Sequence, residues 1–265
     1  MDIIQVITDE LKVQKWQVEA AVKLIDEGCT IPFISRYRKE ATGSLNDEQL
    51  RTLHERLLYL RNLEDKKNQV LTSIEEQGKL TSELKKQILD AKTLVVVEDL
   101  YRPYRPKRRT RAIIAKEKGL EPLANIIMLQ MTKKPLEEEA KAFLSEEKGV
   151  ETVEDALNGA KDILAETISD EADYRIYIRD LTMKKGSVAS AAKKPEESSV
   201  YEMYYEFEEP IKKLAGHRVL ALNRGEKEKI LTVKVNAPEE EILGWLQKQV
   251  LAKDNPITTP VLREV

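Results

Sequence analysis

The sequence predicts a mainly α protein: a multi-helix scaffold around one long central helix, with a minor β element at residues 229–236. Three observations predict it. Nearly every segment repeats apolar residues at helical spacing between recognisable caps. Aromatic residues are only 5% of the chain, which favours helix-on-helix packing through Leu, Ile, Val and Ala. Only KILTVKVN, residues 229–236, alternates apolar and polar positions clearly enough to be a strand.

The elements follow in order. Ile3, Ile4, Val6, Ile7 and Leu11 mark a first helix. Val18, Ala21, Val22 and Ile25 mark a second, which stops at Gly28. Thr30 caps a third with Pro32 in its first turn, where proline is tolerated. This third helix carries PFISRYRKE, in which Phe33, Ile34 and Tyr37 are expected in the core and Arg36, Arg38 and Lys39 near the end. Asn46, with Gln49 placed for a capping box, opens the longest helix. Its buried face runs through Leu50, Leu53, Leu57, Leu60 and Leu63 to Val70 and Ile74, before a stop near Gly78. A short helix follows Thr81, and another starts at Thr93 or Leu94. Beyond residue 112 come an apolar helix over 120–131 and amphipathic helices over 135–146, 152–168 and 170–185, with Thr152 and Asp155 as a capping pair. The composition shifts at Gly186. A strand or loop, an aromatic cluster (Tyr201, Tyr204, Tyr205, Phe207), a helix over 216–223 ended by Arg224–Gly225, and a last helix from Pro238 complete the chain. Residues 187–191 are the expected partner of the 229–236 strand.

These elements group into a three-helix, helix-turn-helix-like unit (1–45), a helical scaffold (46–185) and a small α+β lobe (186–265) ending in a connector. The chain has 265 residues, 34% of them charged, with a formal net charge of −3. Any attraction for nucleic acid must therefore come from local patches. One cysteine, Cys29, excludes an internal disulfide and fits a reducing cytoplasm. No apolar run approaches the ~18–20 residues that a membrane span needs.

The basic patch is LYRPYRPKRRTRA, residues 100–112. It sets Arg102, Arg105, Lys107, Arg108, Arg109 and Arg111 among Tyr101, Tyr104, Pro103 and Pro106. The prolines favour an extended arm. Alternating cations and rings suit phosphates and stacked bases, and they equally suit a brace paired to acidic helices. Arg36, Arg38 and Lys39 form a second basic group. His217, Arg218, Asn223 and Arg224 form a polar constellation, whose plain alternative is a helix end with Arg218 paired to an acid.

Nothing points to catalysis. No Walker loop or dinucleotide fingerprint is present. His54, His217 and Cys29 cannot make a zinc tetrad. No catalytic residue, metal site or cofactor is expected.

Five stretches carry a resemblance: IPFISRYRKEATGSL (31–45), SIEEQGKLT (73–81), EDLYRPYRPKRRTRA (98–112), KEKGLEPLA (116–124) and HRVLALNRGEKE (217–228). In order and spacing they resemble the bacterial Tex family of transcription accessory proteins, itself similar to a eukaryotic elongation factor that travels with RNA polymerase. The resemblance implies the N-terminal helical region of a longer, cytoplasmic, nucleic-acid-binding protein. Downstream it implies RNase-H-like, helix-hairpin-helix and OB-fold domains. The implied partners are RNA or DNA, RNA polymerase or ribosome-associated machinery, and those downstream domains. Two roles remain open, a nucleic-acid-contacting module and a purely structural docking platform. The resemblance supplies no catalytic set.

Overall fold

A computed structural model describes residues 2–265. Among them are fourteen α-helices and one three-stranded sheet, so the protein is mainly α. The chain divides into two units, Met1–Tyr104 and Arg105–Val265, with the boundary inside the basic arm.

The first unit is organised by α4 (Asp47–Glu76), 30 residues and about 45 Å long. Asn46 accepts from the Gln49 N–H while Gln49 accepts from that of Asn46, the capping box expected from the sequence. Leu50, Leu53, Leu57, Leu60, Leu63, Val70 and Ile74 are buried along one stripe. Against it pack α1 (Ile3–Leu11), α2 (Lys15–Asp26), α3 (Ile31–Tyr37), α5 (Ser82–Asp90) and α6 (Leu94–Tyr101). The first three helices thus share one core with α4, although the sequence suggests a separate unit for them. Arg56 and Arg61 fork onto Glu10 and Asp26, tying α4 to α1 and α2. The Arg61 guanidinium holds the Asp26 carboxyl below its ordinary range.

The stripe contains one ionisable residue, Lys67. Its stem lies among apolar neighbours, while its ammonium donates to the Leu89 carbonyl at 2.7 Å and meets Glu64 at 3.3 Å. A buried stem with a satisfied head is an economical way for lysine to enter a core. It also closes the C-terminal end of α5.

In the second unit, α10 (Val153–Asp170) carries the core. Thr152 and Asp155 form the expected capping box. On α10 pack α7 (Arg111–Glu117), α8 (Glu121–Leu129) and α9 (Leu136–Lys141). Gly159 lets α7 and its following turn come close, since a Cβ there would lie 2.3 Å from Leu120 Cδ1. After α11 (Ala172–Lys185) come β1 (Ser187–Ala192), β2 (Glu206–Pro210), α12 (Gly216–Lys227) and β3 (Leu231–Asn236). The strand order is β2-β1-β3, antiparallel throughout, with Ser187 opposite Asn236 and Ala191 opposite Thr232. The β1–β3 pairing agrees with the sequence expectation. β2 does not, because EFEEP has too few apolar positions to signal a strand, and only Phe207 and Glu209 are even half-buried.

Two further expectations need correction. Helix α12 does not end at Arg224–Gly225 but runs to Lys227. Gly225 is there for close packing, with a Cβ reaching 2.6 Å from Leu231 Cδ1. The segment after α13 (Glu239–Val250), expected as a connector, folds back. Asn255 donates to the carbonyls of Gln130 and Thr132, and α14 (Thr259–Glu264) buries Leu262 in the α10 core.

Replacing Lys67 by Met removes the donor from the Leu89 carbonyl and one charge partner from Glu64, and leaves a Met in the stripe. Urea unfolding followed by circular dichroism is expected to show a loss of about 1–3 kcal/mol.

Candidate nucleic-acid interface

The basic arm is less extended than its prolines suggest. Arg102 is right-handed helical (φ −52°, ψ −42°) although it precedes Pro103. Its N–H bonds the Asp99 carbonyl, and the Tyr104 N–H bonds that of Tyr101, so α6 runs into a turn. The helical pull of α6 overrides the pre-proline preference. Tyr101 meets Ser73 at 2.9 Å through its hydroxyl, and Gln77 donates to the Tyr104 carbonyl. Both rings pack against the α4 core. Residues 105–110 lie outside helix and turn, with bends at 105 and 109.

On the other side of the unit boundary the arm's cations meet acids of their own unit. Lys107 is the most enclosed, bonded to Asp170 and lying 3.1 Å from Glu166, both on α10. Arg109 donates to Glu117 at 3.1 Å, and Arg111, in the first turn of α7, faces Asp162 at 3.5 Å. Arg102 and Arg105 also have partners. Arg108 is the exposed arm cation outside these contacts.

The loop after α3 is arranged differently. Ile34 alone of its helix is buried. Phe33 and Tyr37, expected in the core, face solvent at 37% and 68% exposure, with ring centroids 5.4 Å apart. A seven-residue helix has one narrow buried stripe, and Ile34 with the half-buried Ile31 fills it. Arg38 lies over the Phe33 ring, 5.5 Å from its centroid. Arg36, Arg38 and Lys39 are exposed and line a shallow recess of about 360 Å³ with Tyr37, Glu40 and Ala41. Among the described residues, none of these three cations has a carboxylate within salt-bridge distance.

The loop's backbone is fixed. Ser44 donates to the Lys39 carbonyl at 2.7 Å, and Thr42, fully buried, bonds the Arg38 carbonyl through both N–H and Oγ1. Gln17 donates to the carbonyls of Thr42 and Gly43 while accepting from the Gln14 N–H. Gly43 has φ +60°, and a Cβ on it would lie 2.5 Å from Trp16 Cη2. The expected signal for the loop was its cations; the exposed rings and the Trp16–Gly43 contact were not foreseen.

The polar constellation on α12 is divided. Arg218 donates to Glu209 at 2.6 Å and lies over Phe207, whereas His217, Asn223 and Arg224 face solvent. Arg218 pairing agrees with the plain alternative, although Asn223 and Gly225 do not end the helix. No group of three or more His, Cys, Asp or Glu among the described residues could hold a metal ion.

Two family models match the chain. The Tex-like protein N-terminal domain covers residues 1–75, and the Tex central region-like model covers 130–257. The chain belongs to the Tex-like family. It is 47% identical over 263 residues to the uncharacterized protein YdcI of Bacillus subtilis, covering 98% of this chain and 37% of that protein. It is 42% identical over 235 residues to the transcriptional accessory protein Tex of Neisseria gonorrhoeae, covering 88% and 31%. To the human S1 RNA-binding domain-containing protein 1 it is 32% identical over 257 residues, covering 92% and 25%. The chain therefore spans between 25% and 37% of the length of these relatives.

Within the family frame, the α3 loop falls inside the N-terminal model and α12 inside the central one, while residues 100–112 lie between the two matches.

Exchanging Lys107 for Ala strips the ammonium from two carboxylates on α10, one of them nearly buried. The thermal midpoint is expected to fall by several degrees, about 1–3 kcal/mol. Arg108→Ala, measured in the same calorimetric series, is expected to leave the midpoint within one degree or so of the parent.

Proposed function

We propose that this chain is the nucleic-acid-contacting helical module of a transcription accessory protein, and that its contact lies in the loop after α3 rather than in the basic arm. One observation carries this reading. Arg36, Arg38 and Lys39 stand exposed without a carboxylate partner among the described residues, on a loop whose backbone is held by Gln17 and Thr42. A phosphate strand gains most from cations that need not first leave an acid, on a backbone that need not be ordered. The accessory role is that of the Neisseria gonorrhoeae relative, and RNA binding is in the name of the human one. A helix-turn-helix reading of α2 and α3 is weaker support, because α3 is only seven residues long.

A second reading has its own observation. Lys107, Arg109 and Arg111 are held by Asp170, Glu166, Glu117 and Asp162, which makes the arm a brace. In that role the chain is a structural platform for downstream RNase-H-like, helix-hairpin-helix and OB-fold domains, and for RNA polymerase or ribosome-associated machinery. The two roles are compatible, since they use different cations. A cytoplasmic setting belongs to the same proposal; Cys29 is a free thiol, and no helix among the described residues is long and apolar enough to cross a membrane.

Three phosphate contacts at roughly −0.7 each predict a slope of about −2 for log K against log salt on single strands. Arg36→Gln, Arg38→Gln and Lys39→Gln together are expected to bring that slope close to zero in a filter-binding titration. Arg108→Gln and Arg109→Gln are expected to change it by less than one. An unchanged slope in the loop variant, with a flattened slope in the arm variant, would move the contact to the arm.

A further inference from the structure

Phe33 and Tyr37 lie one turn apart on α3, exposed and tilted at 44° to each other. Phosphates would engage the cations beside them and have no use for the rings. A ligand that uses the whole cluster must carry negative charge and also present a flat apolar face within a few ångströms of it. An unpaired nucleotide has both. A base pair inside a duplex has already covered both faces of its bases and offers only its phosphates.

The local electrostatics are consistent with this. The end of α3 carries carbonyls that would repel an anion, but those of Ile34, Arg38 and Lys39 each accept a backbone N–H. Glu40 is the one carboxylate lining the recess, against three cations. The Arg38 guanidinium over Phe33 holds a positive charge at the edge of the aromatic pair.

We propose that the Phe33–Tyr37 pair is a stacking platform for an unpaired base, so that this loop selects single-stranded nucleic acid over duplex. The proposal rests on the reading above that the loop contacts nucleic acid, and it adds the strand class. Arg36, Arg38 and Lys39 take the flanking phosphates, while the fixed 38–44 backbone keeps rings and cations in register. RNA and DNA single strands share this chemistry.

The test uses the whole 265-residue chain and fluorescence anisotropy with end-labelled 12-mers: a DNA strand, an RNA strand of the same sequence, their blunt duplexes, and an abasic strand carrying phosphates without bases. Stacking on one ring predicts that the abasic strand binds about five- to 150-fold more weakly than the DNA strand. Tyr37→Ala is expected to lose a similar factor on single strands and almost nothing on duplex or abasic strand, whereas Tyr37→Phe retains parent affinity. Tyr37 is mostly exposed, so both variants should keep the parent thermal midpoint. A difference between the RNA and DNA strands assigns the source.

Equal binding of abasic and natural strands, with Tyr37→Ala neutral but the triple glutamine variant inactive, would overturn the stacking platform and leave the loop as a phosphate site. Duplex binding as tight as single-strand binding would overturn it in the same way. Binding of no strand, or binding indifferent to the triple variant, would overturn both this inference and the reading on which it rests.

Discussion

Seven apolar side chains from Leu50 to Ile74, with Lys67 among them, form one stripe on a 30-residue helix, and the first unit is arranged around it. The stripe draws α1, α2 and α3 into one core, and two arginine forks on its flank lock the first two in place. With α2 fixed, Gln17 and Trp16 stand where the loop after α3 must pass. Burial of Ile34 and Thr42 then leaves Phe33, Tyr37 and three cations on the outside. The candidate interface follows from how an apolar stripe positions its neighbours.

Carboxylate pairing divides the basic residues into two sets. Acids outnumber bases, 47 to 44, so a cation without a partner is the informative case. In the arm, Lys107 is held between two acids of α10, and Arg109 and Arg111 each face one. Using Lys107 for phosphate would mean breaking an enclosed contact of the second unit, whereas the Arg109 and Arg111 pairs are exposed and contribute little. Arg36, Arg38 and Lys39 carry no such cost.

Much of the fold was legible because its signals are local. The caps at Asn46, Thr81, Thr93 and Thr152 each bond the N–H three residues on, and the alternation before Asn236 located β3. What was missed depends on tertiary context. Gly225 looks like a helix stop until Leu231 packs on it. The 253–265 segment has a connector's prolines, yet Asn255 finds two carbonyls and Leu262 a core. Phe33 and Tyr37 read as core by residue type, but the space beneath α3 holds Ile34. The cations at 36–39 are visible in the sequence; that no carboxylate among the described residues pairs with them, while two pair with Lys107, is a property of the fold.

The central claim, that the loop after α3 and not the arm meets nucleic acid, is tested most directly by photochemical crosslinking. A single strand containing a photoreactive thiolated base would be irradiated with the chain and the adducts mapped by mass spectrometry. The account predicts adducts within residues 31–44, centred on Phe33 and Tyr37. Adducts confined to residues 101–111 or to α12 would contradict it.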